Sequence, residues 1–274
     1  MTGSNSKFET FRSLHQRPGC FVIPNPWDAG SARILTKLGF EALATTSAGF
    51  AFSMGYLDSA PEVTRELLLA NARAIVDATS LPVSADLQKG FGDSPEACAE
   101  TIRLASHIGL AGGSIEDATG DPAHEIYDFS LAVERITAAA QAARQNQFFL
   151  TARAENFLWE RPDLSDSIRR LQAFAEAGAD VLYAPGLTTL EQIREVCASV
   201  SKPVNVLMGL LGPTNTVDEL AAVGVKRISV GGSFARAALG GLVRAAREVK
   251  EKGTFSYARE ALPSAETKRL LSRG

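Results

Sequence analysis

PVSADLQKGFGDSPEACAETIRLASHIGLAGGSIEDATG, residues 82–120, contains the repeating unit from which this 274-residue chain is built. It opens on 82–86, an apolar run of strand length ending on an acid. Ser94-Pro95 then supplies a helix start, because a serine oxygen accepts from an otherwise orphaned N–H and proline has no N–H to orphan. Residues 95–108 carry helical periodicity, and Gly109 follows as a residue free to take the left-handed conformation that ends helices. A second apolar run, 113–116, again ends on an acid. Strand, helix, glycine, strand is the unit of a parallel sheet.

The unit recurs in both directions. Strand-length runs fall at 20–24 (CFVIP), 42–46 (ALATT), 82–86, 113–116, 149–153 (FLTAR), 181–184 (VLYA), 203–206 (PVNV) and 227–230 (RISV). Helical segments follow at 29–38, 64–78, 95–108, 130–144, 165–177, 190–199, 216–222 and 233–252. Gly39, Gly109, Gly178 and Gly224 each sit between a helical run and the next strand. Eight such pairs in one composition regime predict an α/β chain, a closed parallel (β/α)8 barrel. The rival, a doubly wound open sheet that binds a dinucleotide, carries a Gly-rich turn after its first strand. Here that turn is Asn25-Pro26-Trp27-Asp28. We read residues 1–274 as one barrel domain, with an extra helix at 7–15 and a tail at 254–274. The tail holds a short amphipathic helix, 265–271, whose apolar side calls for a partner, expected on a neighbouring subunit.

Lys and Arg number 28 against 31 Asp and Glu, a formal charge of −3, and 45% of residues are apolar. This excludes disorder and leaves no global attraction for nucleic acid or an anionic membrane. Cys20, Cys98 and Cys197 form no CxxC pair, and no stretch approaches the length of a membrane span, so a cytoplasmic protein is expected.

Active sites of such barrels form at the C-terminal ends of the strands. The residues there are Asn25 and Asp28, Thr46-Ser47, Asp86 with Gln88, Glu116-Asp117, Arg153 with Glu155, Ala184-Pro185, Asn205 and Gly231-Gly232. Carboxylates without clustered His or Cys favour a hard cation, Mg²⁺ or Mn²⁺. Arg153 suits a bidentate grip on a substrate carboxylate, and the amides of 47–49 suit a second anionic group. Singly, Asp28 reads equally well as a helix cap, and Glu116 with Arg153 as an ion pair.

The segments NPWDAGSARILTKLGFEALATTSAGFAFSMGYLD (25–58), SADLQKGFGD (84–93), SIEDATG (114–120) and TARAEN (151–156), in this order, resemble the isocitrate lyase/phosphoenolpyruvate mutase superfamily. The resemblance covers about residues 7–250. It implies a Mg²⁺-dependent (β/α)8 barrel that makes or breaks C–C or P–C bonds of small 2-oxo or 2-hydroxy acids, often through an enolate-like pyruvate species. It also implies a homo-oligomer, a dimer or a tetramer with exchanged C-terminal helices. Position by position, Asp86 resembles the acid nearest the metal, and Asp58 and Glu116 the carboxylates that reach it through waters. Ser47, Ala48 and Gly49 resemble the turn that binds the substrate carboxylate, Arg153 the arginine of the substrate site, and Tyr56 a residue of the adjacent loop. Asn205, at the end of its strand, is taken as a further substrate contact.

The departures narrow the activity. Gln88 stands where the family often has a second acid, which weakens the expected hold on metal. The loop after the fourth strand reads Asp117-Ala118-Thr119-Gly120-Asp121-Pro122-Ala123-His124, without the Lys-Lys-Cys-Gly-His run of isocitrate and methylisocitrate lyases and without the Lys and Asn of P–C-cleaving members. The reading that remains is a lyase or decarboxylase of a small 2-oxo or 2-hydroxy dicarboxylic acid, oxaloacetate decarboxylase-like. His124 is a candidate proton donor, with Lys89 a second. A hydrolase of oxaloacetate or a phosphonopyruvate-like compound, and a barrel that binds a 2-oxo acid without turnover, stay open.

Overall fold

The computed structural model describes residues 3–58, 60–210 and 214–272, so the last two residues of the expected tail lie outside the described residues. Eight strands, β1 (Phe21–Ile23), β2 (Leu43–Ala44), β3 (Val83–Asp86), β4 (Gly112–Glu116), β5 (Phe149–Arg153), β6 (Val181–Tyr183), β7 (Val204–Leu207) and β8 (Arg227–Ser229), form one parallel sheet. Each strand from β2 to β8 pairs with the next in sequence, and β8 pairs back onto β1. The remaining seam is joined by the Ala44 N–H, which donates to the Pro24 carbonyl at 3.0 Å. The expected (β/α)8 barrel is what forms.

Around it run α2 (Ala29–Lys37), α4 (Arg65–Ala78), α5 (Pro95–His107), α6 (Phe129–Gln145), α7 (Leu164–Ala177), α8 (Leu190–Ser199), α9 (Val217–Ala222) and α10 (Ser233–Lys252). α1 (Gly3–Gln16) precedes β1, and α11 (Ser264–Leu271) closes the tail. One helix goes beyond the sequence reading: α3 (Ser47–Ser53) occupies the segment read as a turn, started by the Thr46 hydroxyl, which accepts from the Gly49 N–H at 3.2 Å. Among the described residues no helix is long and apolar enough to cross a membrane.

Alternation along the strands sorts side chains to two sides. Leu150, Ala152, Leu182, Val204, Val206 and Ile228 join Ile75, Ile102, Ile136, Leu171 and Ile193 in the core between barrel and helices. The interior changes character from bottom to top. At the N-terminal end Phe21, Phe149 and Val181 pack with Phe11 of α1, whose ring meets Phe149 edge-on with centroids 5.6 Å apart. α1 therefore plugs the barrel. Above that apolar layer the inward positions are polar: Thr151, Asn205, Arg227 and Ser229 are buried there.

α11 lies on α2 of its own chain, where Leu270 is buried and Arg33 Nη1 donates to the Leu271 carbonyl at 3.1 Å. α10 buries only Ala235 among its twenty residues and exposes Leu239, Leu242 and Val243.

Candidate active site

A cavity of about 470 Å³ opens at the C-terminal ends of the strands. Register builds its wall. Glu116 and Arg153 are direct partners on β4 and β5, and Arg153 and Tyr183 on β5 and β6. Same-face partners on adjacent strands stand side by side. Arg153 Nη1 accordingly lies 3.3 Å from Glu116 Oε2, and its guanidinium carbon 5.1 Å from the Tyr183 ring centre. Asp86, the last residue of β3, reaches the same Nη1 at 3.1 Å, and Arg153 Nε donates to Glu155 at 2.8 Å. One arginine thus sits among three carboxylates.

Asp58 approaches from the loop after α3. The Ser47 hydroxyl lies 2.8 Å from Asp86 Oδ2 and 3.2 Å from Asp58 Oδ1, and the Ser47 N–H donates to Asp86 at 3.2 Å. Burial pushes Glu116 well above the ordinary carboxylate range; Arg153 pulls it back, and Glu155, Asp86 and Asp58 push it up again. Glu155 is raised too, by burial first. Burial opposes the charge of Arg153, yet Glu155, Glu116 and Asp86 together hold it well above its usual value. The site is short of positive charge.

That shortage and the all-oxygen donor set fit a hard divalent cation. Among the described residues no three metal-ligating side chains close into a ready-made cage. Ser47 and Arg153 stand between the acids, which suits a cation that keeps several of its waters.

Of the residues named from sequence, Ser47, Ala48, Asp58, Asp86, Glu116, Arg153 and Asn205 line this cavity, and Gln88 with them. Gly49 stands behind the wall: a Cβ there would lie 2.6 Å from Thr46 Cγ2 and 3.2 Å from Ala235 Cβ. Only glycine lets α3 approach so closely. Tyr56 and His124 are not part of the lining. The His124 side chain is 82% exposed beside Asp121, on a hairpin that the Ala118–Ile126 bridge pins. Lys89 donates to Asp93 and to the Thr119 carbonyl, both at 2.7 Å, so it anchors that hairpin.

Three rim acids and amides prove structural. Asp28 caps α2 in a reciprocal capping box with Ser31. Asn25 Oδ1 accepts from the Val230 and Gly231 N–H groups, and its Nδ2 donates to the Thr45 carbonyl, each at 2.9 Å, clasping β1, β2 and β8. Asp117 turns away from the cavity to Arg170 at 3.0 Å, while its other oxygen accepts the Glu155 N–H at 2.8 Å. Burial, opposed by Arg170, raises Asp117 to about 7.

Glu155, Tyr183, Leu158, Trp159, Arg227 and Arg236 also line it. Glu155 was visible only as a neighbour of Arg153, and the other five were not singled out. Arg227, a charge opening an otherwise apolar strand run, was the available signal. It is buried, with its Nε on Asn205 Oδ1 at 2.8 Å and its Nη2 on Thr151 Oγ1 at 2.9 Å.

A parallel eightfold barrel with carboxylates and an arginine gathered at its C-terminal mouth defines a class of enzymes acting on small anionic substrates. Residues 11–250 match the profile of the phosphoenolpyruvate phosphomutase family, and the chain belongs to that family, within the isocitrate lyase/phosphoenolpyruvate mutase superfamily of lyases and mutases. It is 53% identical, with a TM-score of 0.96, to a Burkholderia cenocepacia protein of known structure provisionally assigned as a lyase or mutase, over 100% of this chain and 98% of the other. It is 29% identical to 2-methylisocitrate lyase of Escherichia coli over 81% of this chain and 77% of the relative. The structure of 2,3-dimethylmalate lyase superposes with a TM-score of 0.84 at 28% identity, covering 98% and 94%. Superfamily members generally depend on a divalent metal.

Proposed function

We propose that this protein is a Mg²⁺- or Mn²⁺-dependent carbon–carbon lyase of a small 2-oxo or 2-hydroxy dicarboxylic acid, oxaloacetate decarboxylase-like. The observation that carries the reading is Arg153 held among Asp86, Glu116 and Glu155 at the mouth of the barrel. Asp86, Asp58 and Glu116 would hold the cation, which supplies Lewis-acid stabilisation of negative charge developing on the 2-oxo oxygen.

The chain's own groups do the rest. Arg153 is charged at any working pH and oriented by three acids, so it can receive a substrate carboxylate without reorganising. Tyr183 supports the guanidinium from below at 5.1 Å. Ser47 and Ala48 form the facing wall, where the substrate's other polar end would lie. Cleavage sends the electron pair of the broken C–C bond into an enolate of pyruvate, which then takes a proton. Leu158 and Trp159 at the mouth reduce access of water to that carbanion. Departure of CO₂ needs no acid at the leaving group, which agrees with a wall that has no His or Cys among the described residues.

Assembly belongs to the same proposal. The exposed Leu239, Leu242 and Val243 of α10, with Phe255 beyond it, give apolar surface for a second copy. Sedimentation of a dimer or tetramer supports this, and a monomer at micromolar concentration counts against it. For the activity, oxaloacetate and malates bearing methyl groups are incubated with protein and MgCl₂, and products are followed by NMR. Pyruvate plus CO₂, or a pyruvate-class acid from a substituted malate, supports the lyase. Oxalate plus acetate from oxaloacetate transfers the same site to hydrolysis.

A further inference from the structure

The interior of the barrel is layered, and its second layer carries a charge that no acid answers. Ser84, Ser114 and Thr151 each stand two residues before Asp86, Glu116 and Arg153 on the same strands. They therefore face the same interior, about 7 Å further down. Ser84 and Ser114 line the cavity there. Among the described residues their hydroxyls have no hydrogen-bond partner, and neither oxygen is sealed from the cavity.

Arg227 enters this layer from β8. Its Nη2 donates to Thr151 Oγ1 on β5, across the barrel, at 2.9 Å. Its Nε donates to Asn205 Oδ1 at 2.8 Å, and its Nη1 lies 3.4 Å from His15 Nε2. These contacts use three of the five N–H groups of a guanidinium, and all three acceptors are neutral. Among the described residues no carboxylate pairs with Arg227, although the side chain is buried. Burial lowers its pKa to about 10, opposed by Tyr183. The acids of the mouth are engaged one layer higher, with Arg153.

A buried charge without a counter-charge is costly, and an opposite charge held by several donors relieves that cost. The floor offers free N–H and O–H donors around one cation. A second cation would meet the guanidinium, and a divalent anion would overbalance it.

We infer that the floor of the cavity is an anion site, in which Arg227 and the Ser84 and Ser114 hydroxyls bind a monovalent inorganic anion of about the size of chloride. The site lies one layer below Asp86 and Glu116 and does not rest on the lyase reading. It neutralises the arginine that ties β8 to β5 and leaves the mouth to Arg153.

Chlorine-35 NMR of the protein in sodium chloride, with magnesium supplied as gluconate, tests this in solution. Chloride that exchanges with a protein site broadens the bulk resonance. The expected result is broadening that saturates, is removed by bromide, and reports binding about tenfold weaker in Arg227→Met, the equivalent of one charge-assisted hydrogen bond. Ser114→Ala keeps the arginine and should weaken binding several-fold, with the melting temperature as the check on folding in both variants. If Arg227→Met does not fold, Ser114→Ala and the crystal carry the test. In bromide-soaked crystals anomalous scattering should place the ion between Arg227, Ser84 and Ser114. Bromide found there without saturable broadening in solution means an adventitious ion only and overturns the site. Broadening equal in wild type and the folded variants puts the anion elsewhere on the protein and overturns it too. Displacement of the floor bromide by oxalate would assign the floor to a carboxylate of the substrate and overturn the inorganic-anion assignment.

Discussion

Lowering the pH from 7 to 5 is expected to cost this barrel about 2 kcal/mol through one side chain, His15. The ring lies inside the plug, among Phe11, Phe21 and Phe149, with centroids 4.8, 5.0 and 4.5 Å away. Nδ1 is 2.8 Å from the Phe11 carbonyl and Nε2 is 3.4 Å from Arg227 Nη1. The neutral tautomer with the proton on Nδ1 satisfies both, donating to the carbonyl and accepting from the arginine. Burial, followed by the Arg227 charge, depresses the pKa to about 3. In the unfolded chain it returns to about 6.5. A depressed pKa gives stability that is present above about 6.5 and lost as pH falls toward 3, because the unfolded state alone takes up the proton in that window. From pH 7 to 5 this amounts to about 1.5 units at about 1.4 kcal/mol each. Urea unfolding of wild type and His15→Leu at both pH values isolates the contribution, since the other titrating groups are common to both proteins. The variant is less stable at pH 7 but should lose about 2 kcal/mol less between pH 7 and 5. Parallel losses in the two proteins would refute the buried neutral histidine.

Three further outcomes follow from the same geometry. Gly49→Ala puts a methyl 2.6 Å from Thr46 Cγ2, so thermal unfolding should show a loss of about 1–3 kcal/mol. Asp117→Asn replaces the carboxylate that faces buried Arg170 at 3.0 Å with a neutral amide while Arg170 keeps Asp166 at 2.8 Å, and denaturant unfolding should show a loss of about 1–3 kcal/mol. Gln88→Asp adds a carboxylate to the cavity wall, and Mn²⁺ should raise the melting temperature of this variant more than that of wild type.

The strands were legible because each is a short apolar run closed by turn chemistry. The β5 run at 149–153 is found with the same bounds, and α5 starts where Ser94-Pro95 announces it. α3 was not legible: seven residues rich in Ser, Ala and Gly carry no 3.6-residue stripe, and tertiary contact through Gly49 decides their conformation. Asp86, Glu116 and Arg153 could be named because strand ends in a barrel converge on one rim, whatever the register. Tyr183 beneath Arg153 depends on the pairing of β5 with β6, a contact between residues thirty apart. His124 shows the limit from the other side. An imidazole in the loop after β4 suited a proton donor, but the direction of its hairpin is set by Lys89 and by the bridge at 118–126, which composition does not reveal. Arg236 escaped notice because a basic residue early in a helix usually faces solvent; its place at the cavity follows from how α10 packs on α3.

The most direct test of the central claim is pyruvate release from oxaloacetate by wild type and Asp86→Ala, with Mg²⁺ and with EDTA, each corrected for the rate of Mg²⁺ alone. The account predicts turnover by wild type with Mg²⁺, its loss in EDTA, and a fall of at least a hundredfold in a folded Asp86→Ala. Turnover that survives EDTA, or an Asp86→Ala protein as active as wild type, would contradict it.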